Sequence, residues 1–340
     1  MRFYQMRSKN IAEFIKAFPS IQENIPLKNH TGYRIGGSAR FFLVAKKPED
    51  IITAITIAQK NKINFEVIGG GYNLLVSDKG YDGLAIKMQI TDYRVTENKG
   101  GCEINCGSGT CLSTIVKETT ERGLTGFEWA SGIPGTIGGS IYGNAAAFRG
   151  TMADCVSDVT VFDSKALRVD SLCEQNDFCF KYRSSRFKKN KNLIILSATL
   201  KFKYGDKEKI KDEVRHHLEY RKKNHPLEYP SAGSVFKNFE INSKKNIKIA
   251  DTFFRTNPKF DFFKGKGFIP AGMVIESCGL RGKQIGGAQI SEKHANFIVN
   301  KHDASANDIL ALIRIVKTQA LKKAGILVNE EIQYLGFKKS

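Results

Sequence analysis

The sequence predicts an α+β protein that divides into two or three domains, and three observations carry that reading. The chain is 340 residues long, enough to bury a large core and to split. Apolar runs of strand length alternate with amphipathic helical stretches, and a long helical pattern followed by a strand stands near the C-terminus. Two intervening segments are dominated by glycine. One is Gly69-Gly70-Gly71; the other is Ser131–Asn144, where five of fourteen residues are glycine.

The elements follow in order. Phe41 to Ala45 reads as a strand. Pro48 suits the first turn of a helix running to about Lys60, with Ile51, Ile52, Ile55 and Ala58 on one face. Phe65 to Ile68 is the next strand, and it delivers the triple-glycine turn to a strand end. Leu84 to Met88 continues the sheet. Glu103 to Cys106 begins a second unit, with a helix from about Cys111 to Arg122 that Gly123 terminates. After the long glycine segment, Asp154 to Phe162 and Leu193 to Phe202 read as strands. A helix from about Asp206 to Lys223 turns Ile210, Val214 and Leu218 inward, and Pro226 and Pro230 break the chain after it. Ser305 to Asp308 forms a capping box. It opens a helix carrying Ile309, Leu312, Ile313, Val316 and Leu321, closed by Lys322, Lys323 and Gly325. A strand from Ile326 to Leu335 is expected next. The domains expected are 1–90, 91–205 and 206–340, with an insertion at about 240–268. That insertion carries no repeat or motif and reads as largely solvated, although Phe253, Phe254, Phe260, Phe262 and Phe263 argue that part of it packs.

In both glycine segments the backbone is the working surface. Glycine admits close approach and positive φ, and successive N–H groups can line a concavity for an anion. Neither common nucleotide fingerprint fits. The third glycine of G-x-G-x-x-G is replaced by Leu74 after Gly69 and Gly71, and by Leu112 after Gly107 and Gly109. A Walker loop is absent, because Gly265-Lys266 and Gly282-Lys283 are not followed by Ser or Thr.

Apolar content of 41% is that of a soluble protein. A net charge of +19 favours polyanions such as nucleotides, but the lysines are scattered and form no nucleic-acid signature. The seven cysteines include no C-x-x-C, and no histidine lies near Cys102, Cys106 and Cys111 to complete a zinc site, so no metal is expected. They read mostly as reduced core residues. Met1 to Pro19 contains no signal-peptide run, and no stretch is long enough to span a membrane, which together point to the cytoplasm.

Six motifs occur in one order across roughly residues 29–336: Asn29–Gly37, Ile68–Asp78, Gly132–Gly139, Tyr182–Ser184, Pro230–Asn238 and Gly286–Asn300. In them the chain resembles the UDP-N-acetylenolpyruvoylglucosamine reductase family. The resemblance implies a vanillyl-alcohol-oxidase (PCMH)-type two-part FAD-binding fold plus a C-terminal α+β substrate domain. It implies non-covalent FAD, NADPH as hydride donor, and reduction of UDP-N-acetylglucosamine enolpyruvate in peptidoglycan precursor synthesis. The partners implied are these small molecules. Neither histidine nor cysteine lies within either glycine loop to tether a flavin. Another FAD-dependent oxidoreductase or oxidase of the same fold is the alternative, and a basic nucleic-acid-binding protein is a further one.

The family pattern also assigns residues. FAD contacts fall on Gly69, Gly70, Gly71, Tyr72, Asn73 and Leu74, and on Ser131, Gly132, Ile133, Pro134, Gly135, Thr136, Gly138, Gly139 and Asn144. Arg183 matches the catalytic arginine in Tyr-Arg-x-Ser; Arg186 is a competitor that lacks the preceding tyrosine. Ser234 matches the proton donor. Glu331 matches the C-terminal catalytic glutamate, but strand alternation alone leaves Glu330 open. Lys237, Asn238 and His294 fall at substrate positions. The chain resembles the shorter type, without a tyrosine-bearing loop after Tyr182–Ser184. It departs from the family at Tyr72, where a serine is usual, at Ala145–Ala147, and at Phe239, where a proline is usual.

Overall fold

The computed structural model describes residues 13–337. Of the stretch Met1 to Pro19 read for a signal peptide, residues 1–12 lie outside those described. The chain forms two compact units. The first holds residues up to Ile25, Ala39–Gly70 and Tyr81–Arg221; the second holds Pro26–Ser38, Gly71–Gly80 and Lys222 onward. Among the described residues no helix is long and apolar enough to cross a membrane.

The first unit contains two sheets with separate cores. β1 (Gln22–Pro26), β2 (Ser38–Ala45), β3 (Phe65–Ile68) and the later strand Tyr81–Met88 form one sheet. Helix α1 (Pro48–Lys60) links β2 to β3. Asp50 Oδ2 accepts the N–H groups of Lys46 and Lys47 at 2.9 and 3.1 Å and fixes the start of α1. The helix buries Ile51, Ala54, Ile55, Ile57 and Ala58. After β3 the chain passes through the triple-glycine turn into β4 (Leu74–Val76) and then β5 (Tyr81–Met88). β5 does not extend the sheet at its edge. It inserts between β2 and β3, parallel to both.

The second sheet begins with β6 (Tyr93–Asn98) and β7 (Gly101–Gly107). Helix α2 (Leu112–Arg122) follows and ends at Gly123, whose φ is +68°. Next come the short helix α3 (Ile137–Gly143) and strands β8 (Val156–Asp163), β9 (Arg168–Leu172) and β10 (Leu193–Tyr204). The antiparallel order is β9-β8-β10-β7-β6. Its core includes Ile104, Ile115, Phe127, Ile137, Ile141, Val159 and Leu200.

Helix α4 (Lys207–Asn224) buries Ile210, but the inward stripe continues through His217 and Arg221. Leu218, expected to point inward, is 47% exposed. Residues 210, 214, 217 and 221 share a helical face, whereas 218 lies on its edge.

In the second unit β11 (Ser231–Ser234) heads toward the insertion, where Phe253, Phe254 and Phe260 pack as expected of part of it while Phe262 stays exposed. Residues 244–256 form helix α5 (Lys244–Thr256), capped by the Ser243 hydroxyl. Ala250, Phe253, Phe254 and Phe260 join the main core of this unit. The polar stretches are exposed, and so is Phe262. Strands β12 (Gln284–Ile285), β13 (Ala288–Ile290) and β14 (Phe297–Asn300) complete a sheet in the order β11-β14-β13-β12. Helix α6 (Ala306–Ala324) starts on the Ser305–Asp308 capping box and stops at Gly325, φ +65°. Leu321 is 55% exposed, and Ala320 takes the buried position expected for it. The strand expected from Ile326 is also shorter. Only β15 (Gln333–Leu335) is regular, pairing parallel with β4; Glu330 makes an isolated bridge to Phe236.

Candidate active site

In the first unit the glycine segment is held from behind by its neighbours. The Ser131 hydroxyl is buried and donates to the Glu128 carbonyl at 2.6 Å. Gly132 sits at φ +72°, and a Cβ there would lie 2.8 Å from Arg221 Cδ. Gly135 sits at φ +142°, with no atom within 4 Å of the place a Cβ would occupy. Both conformations favour glycine, and the space beside Gly135 is open to a ligand. Gly138 serves close packing instead, since a Cβ would come 2.6 Å from Ser108 Cβ. The N–H groups of Ile137 and Gly138 donate to the carbonyls of Thr110 and Ser108 at 2.9 and 2.8 Å, so they support the loop and do not face a ligand. Thr136 Oγ1 accepts the Gly139 N–H at 3.3 Å. A Cβ on Gly69 would lie 2.8 Å from that same Oγ1, so the two glycine loops touch.

Arg183 is brought to this loop from the far side of a long sequence gap. The Asn144 amide donates to the Lys181 carbonyl at 3.1 Å and its oxygen accepts the Ala153 N–H at 3.1 Å. Ser185 Oγ donates to the Tyr142 carbonyl at 2.7 Å. Between these two fastenings Arg183 adopts φ +52°, an uncommon conformation for a residue with a side chain. Its Nη1 donates to the Ala146 carbonyl at 3.2 Å, and its guanidinium lies 5.7 Å from the Tyr182 ring. The competitor Arg186 is engaged elsewhere, with Nη1 3.6 Å from Asp177 Oδ1. Asn144, assigned to FAD by the family pattern, thus spends both ends of its amide on the protein.

Sequence reasoning missed two cations here. Lys87 Nζ donates to the Gly69 carbonyl at 2.6 Å. Burial holds this ammonium below the usual lysine range, opposed by Cys111. Arg221 Nε donates to the Ser131 carbonyl at 2.7 Å. Burial lowers the guanidinium to about 10. A signal existed for each: a lysine inside the apolar strand Leu84–Met88, and an arginine completing the stripe of Ile210 and Val214.

In the second unit Ser234, Glu331 and the end of the triple-glycine loop come together on backbone pairs. Ser234 closes β11 opposite Phe297 of β14, after Gly233 at φ +70°. The next residue, Val235, accepts the Glu331 N–H at 2.7 Å, and the Lys237 N–H donates to Asn329 at 2.9 Å. The Asn73 carbonyl accepts the Gln333 N–H at 2.8 Å, and the Asn73 amide donates to the Glu331 carbonyl at 3.3 Å. Leu74 then pairs with Gln333. Tyr72 is half exposed, and its ring lies where a Cβ on Gly32 would stand, 2.8 Å from Cδ1. A carbonyl of His30 would meet a Cβ on Gly71 at 2.1 Å, so the Asn29–Gly37 motif forms the bed of this loop.

The two glutamates differ. Glu330 Oε1 accepts Lys317 Nζ at 2.8 Å on the face of buried Val328 and Ile332. Glu331 lies on the other face, half-buried. The Asn238 amide oxygen accepts the Ala271 N–H at 3.2 Å, while Lys237 is half-buried. His294 Nδ1 accepts the Asn296 N–H at 3.3 Å, and its ring packs edge-on against Phe297 at 4.9 Å and His225 at 5.4 Å. Burial depresses its pKa below the usual imidazole range. Among the described residues no group of three or more His, Cys, Asp or Glu is placed to hold a metal. All seven cysteines are free thiols, four of them buried.

The residues fit FAD on two observations: open space beside Gly135, and contact between two glycine loops whose carbonyls are turned toward one buried and one half-buried cation. Comparison with known proteins agrees. Residues 39–170 match the family model of an FAD binding domain, and residues 225–335 match that of the UDP-N-acetylenolpyruvoylglucosamine reductase C-terminal domain. The UDP-N-acetylenolpyruvoylglucosamine reductase of Caldicellulosiruptor bescii is 37% identical over 98% of this chain and 94% of its own length. That of Lachnoclostridium phytofermentans is 35% identical over 93% of each. The crystal structure of the Thermus caldophilus reductase superposes with a TM-score of 0.71 at 29% identity, covering 93% of this chain and 99% of that one. The α+β architecture is that of a two-part FAD-binding fold with an added C-terminal domain, and the chain belongs to the UDP-N-acetylenolpyruvoylglucosamine reductase family.

Proposed function

We infer that the protein reduces UDP-N-acetylglucosamine enolpyruvate to UDP-N-acetylmuramate in peptidoglycan precursor synthesis, with FAD as cofactor and NADPH as hydride donor. The observation that carries the reading furthest is the junction in the second unit. There the Glu331 N–H meets the carbonyl of Val235, next to Ser234, and Asn73 at the end of a glycine loop bonds the Glu331 carbonyl.

Bound FAD supplies hydride transfer from NADPH to C3 of the enolpyruvyl group. The chain's own residues manage charge and protons around that transfer. Gly69–Leu74 and Ser131–Asn144 hold the cofactor, with Gly132 and Gly135 allowing close backbone approach. Arg183 grips the substrate carboxylate and offsets the negative charge that develops at C2, since a guanidinium remains charged and can bond a carboxylate through two N–H groups. Ser234 gives its hydroxyl proton to C2. Glu331 stands beside it as the second acidic group. A serine hydroxyl is a poor acid unless neighbours stabilise the oxygen left behind, and we assign that task to Lys237. Asn238 and His294 orient the nucleotide-sugar. We place the reaction in the cytoplasm, where free thiols and nucleotide substrates are compatible.

The test is direct. Purified protein reconstituted with FAD should consume NADPH only when the enolpyruvyl substrate is present. Consumption at the same rate with oxygen alone would replace the reductase by an oxidase, and failure to take up FAD would remove the flavoenzyme reading.

A further inference from the structure

Lys87 and Arg221 come from distant parts of the first unit but make the same contact. Each is a cation drawn out of water, and neither has a carboxylate partner among the described residues. Arg221 is only 9% exposed. It lies 5.1 Å from the Phe148 ring, and that ring stacks on His217 at 3.9 Å. Lys87 is half-buried on β5. A buried cation without a counter-charge is costly and needs a reason. Their hydrogen bonds suggest one. Lys87 Nζ takes the carbonyl of Gly69, and Arg221 Nε takes that of Ser131. Arg221 Nη2 also reaches the Trp129 carbonyl at 3.5 Å. In both loops the bonded carbonyl precedes a glycine.

A trans peptide is planar, with its carbonyl and N–H pointing in opposite directions. Fixing the Gly69 carbonyl against Lys87 therefore aims the Gly70 N–H away from Lys87. Fixing the Ser131 carbonyl against Arg221 aims the Gly132 N–H away from Arg221. The two loops touch through Gly69 and Thr136.

We propose that Lys87 and Arg221 are positioning residues for the cofactor diphosphate: each pins the carbonyl behind a glycine loop so that the next N–H faces the phosphates, and together they supply the two positive charges that balance it. This rests on the reading of the protein as an FAD enzyme. It gives the burial of both cations a purpose, because the missing counter-charge arrives with the ligand.

The experiment uses the FAD-reconstituted full chain and reads the dissociation constant of FAD by flavin fluorescence across a salt series. Lys87→Met and Arg221→Met should each weaken FAD by about tenfold or more, as expected for losing a hydrogen bond from a charged group. They should also flatten the salt dependence, because fewer positive charges then stand behind the loops to attract the diphosphate. Lys87→Gln and Arg221→Gln keep a donor for the carbonyl and drop the charge; they should flatten the salt dependence with a smaller loss of affinity. The glutamine pair also carries the test should a methionine variant fail to fold. At saturating FAD, flavin reduction by NADPH should stay within about threefold of the parent rate, since the flavin ring is untouched. Dissociation constants within about twofold of the parent, or an unchanged salt slope in the charge-free variants, would overturn the proposal. A parent protein that binds no FAD would instead overturn the flavoenzyme reading.

Discussion

The loop that carries Arg183 and the strands that carry Ser234 and Glu331 are fixed by different kinds of bond. Arg183 is held by side chains reaching backbone carbonyls: Asn144 to Lys181, Ser185 to Tyr142, and the arginine itself to Ala146. Ser234 and Glu331 are held mostly by main chain against main chain, through Val235 and Glu331 and through the Gln333 to Asn73 pair, with one side-chain bond from the Asn73 amide to the Glu331 carbonyl. Backbone bonds survive most side-chain substitutions, whereas side-chain bonds are lost with the residue. The first arrangement also stores a left-handed arginine at φ +52°, which must be kept in place by its surroundings. The arginine should therefore be sensitive to mutations that never touch the substrate, and the serine and glutamate should not.

The largest expected effect tests the second region. Glu331→Gln should slow reoxidation of reduced flavin by the enolpyruvyl substrate by about two orders of magnitude, the usual scale for losing a positioned acid or base. Glu330→Gln, which only weakens a partly exposed ion pair with Lys317, should change that rate by no more than about threefold and stability by about 0–1 kcal/mol. Stopped-flow absorbance separates the two, and the reverse ranking would show that the roles of these adjacent residues are exchanged.

The next effect tests the first region. Asn144→Ala removes both fastenings of its amide and leaves the Ala153 N–H without its partner, while the Lys181 carbonyl keeps only the Ser184 N–H at 3.0 Å. It should cost about 1–3 kcal/mol of stability, and it should lower the turnover rate because Arg183 is no longer fixed. Thermal unfolding and steady-state kinetics check both halves. Full activity at reduced stability would uncouple Arg183 from the glycine loop and end the comparison between the regions.

The smallest effect concerns His294. Its pKa is depressed by burial, so just below the usual imidazole value the unfolded chain binds a proton that the folded protein resists. Stability should then fall as pH is lowered through that window. His294→Gln should make the melting temperature less steep with pH below about 6.5. An unchanged slope would mean that the imidazole titrates alike in both states.

Much of the fold was legible because its signals are local. Caps and periodicity located α1, α2 and α6, with Pro48, Gly123, Ser305 and Gly325 at their ends. The insertion of β5 between β2 and β3 was not legible, since strand order is set by pairing between distant residues. Leu218 and Leu321 misled because apolar side chains near the edge of a helical stripe are often left exposed; the buried positions went to His217, Arg221 and Ala320. Residues 240–268 look polar in sequence, yet Phe253, Phe254 and Phe260 place their buried face in the core. In the candidate site, motifs located the loops but not what lies behind them. Nothing local to Lys87 or Arg221 announces that each bonds a glycine-loop carbonyl, and nothing local announces that Glu330 pairs with Lys317.

The central claim is that the two regions serve separate steps: the glycine loops and Arg183 bind and stabilise, while Ser234 delivers a proton only after the flavin is reduced. Stopped-flow absorbance on FAD-loaded Ser234→Ala tests it most directly. NADPH should bleach the flavin at close to the parent rate, and reoxidation by the enolpyruvyl substrate should slow by about two orders of magnitude or more. Equal slowing of both steps would contradict the account, because it would make Ser234 a shaper of the shared pocket and not the proton donor.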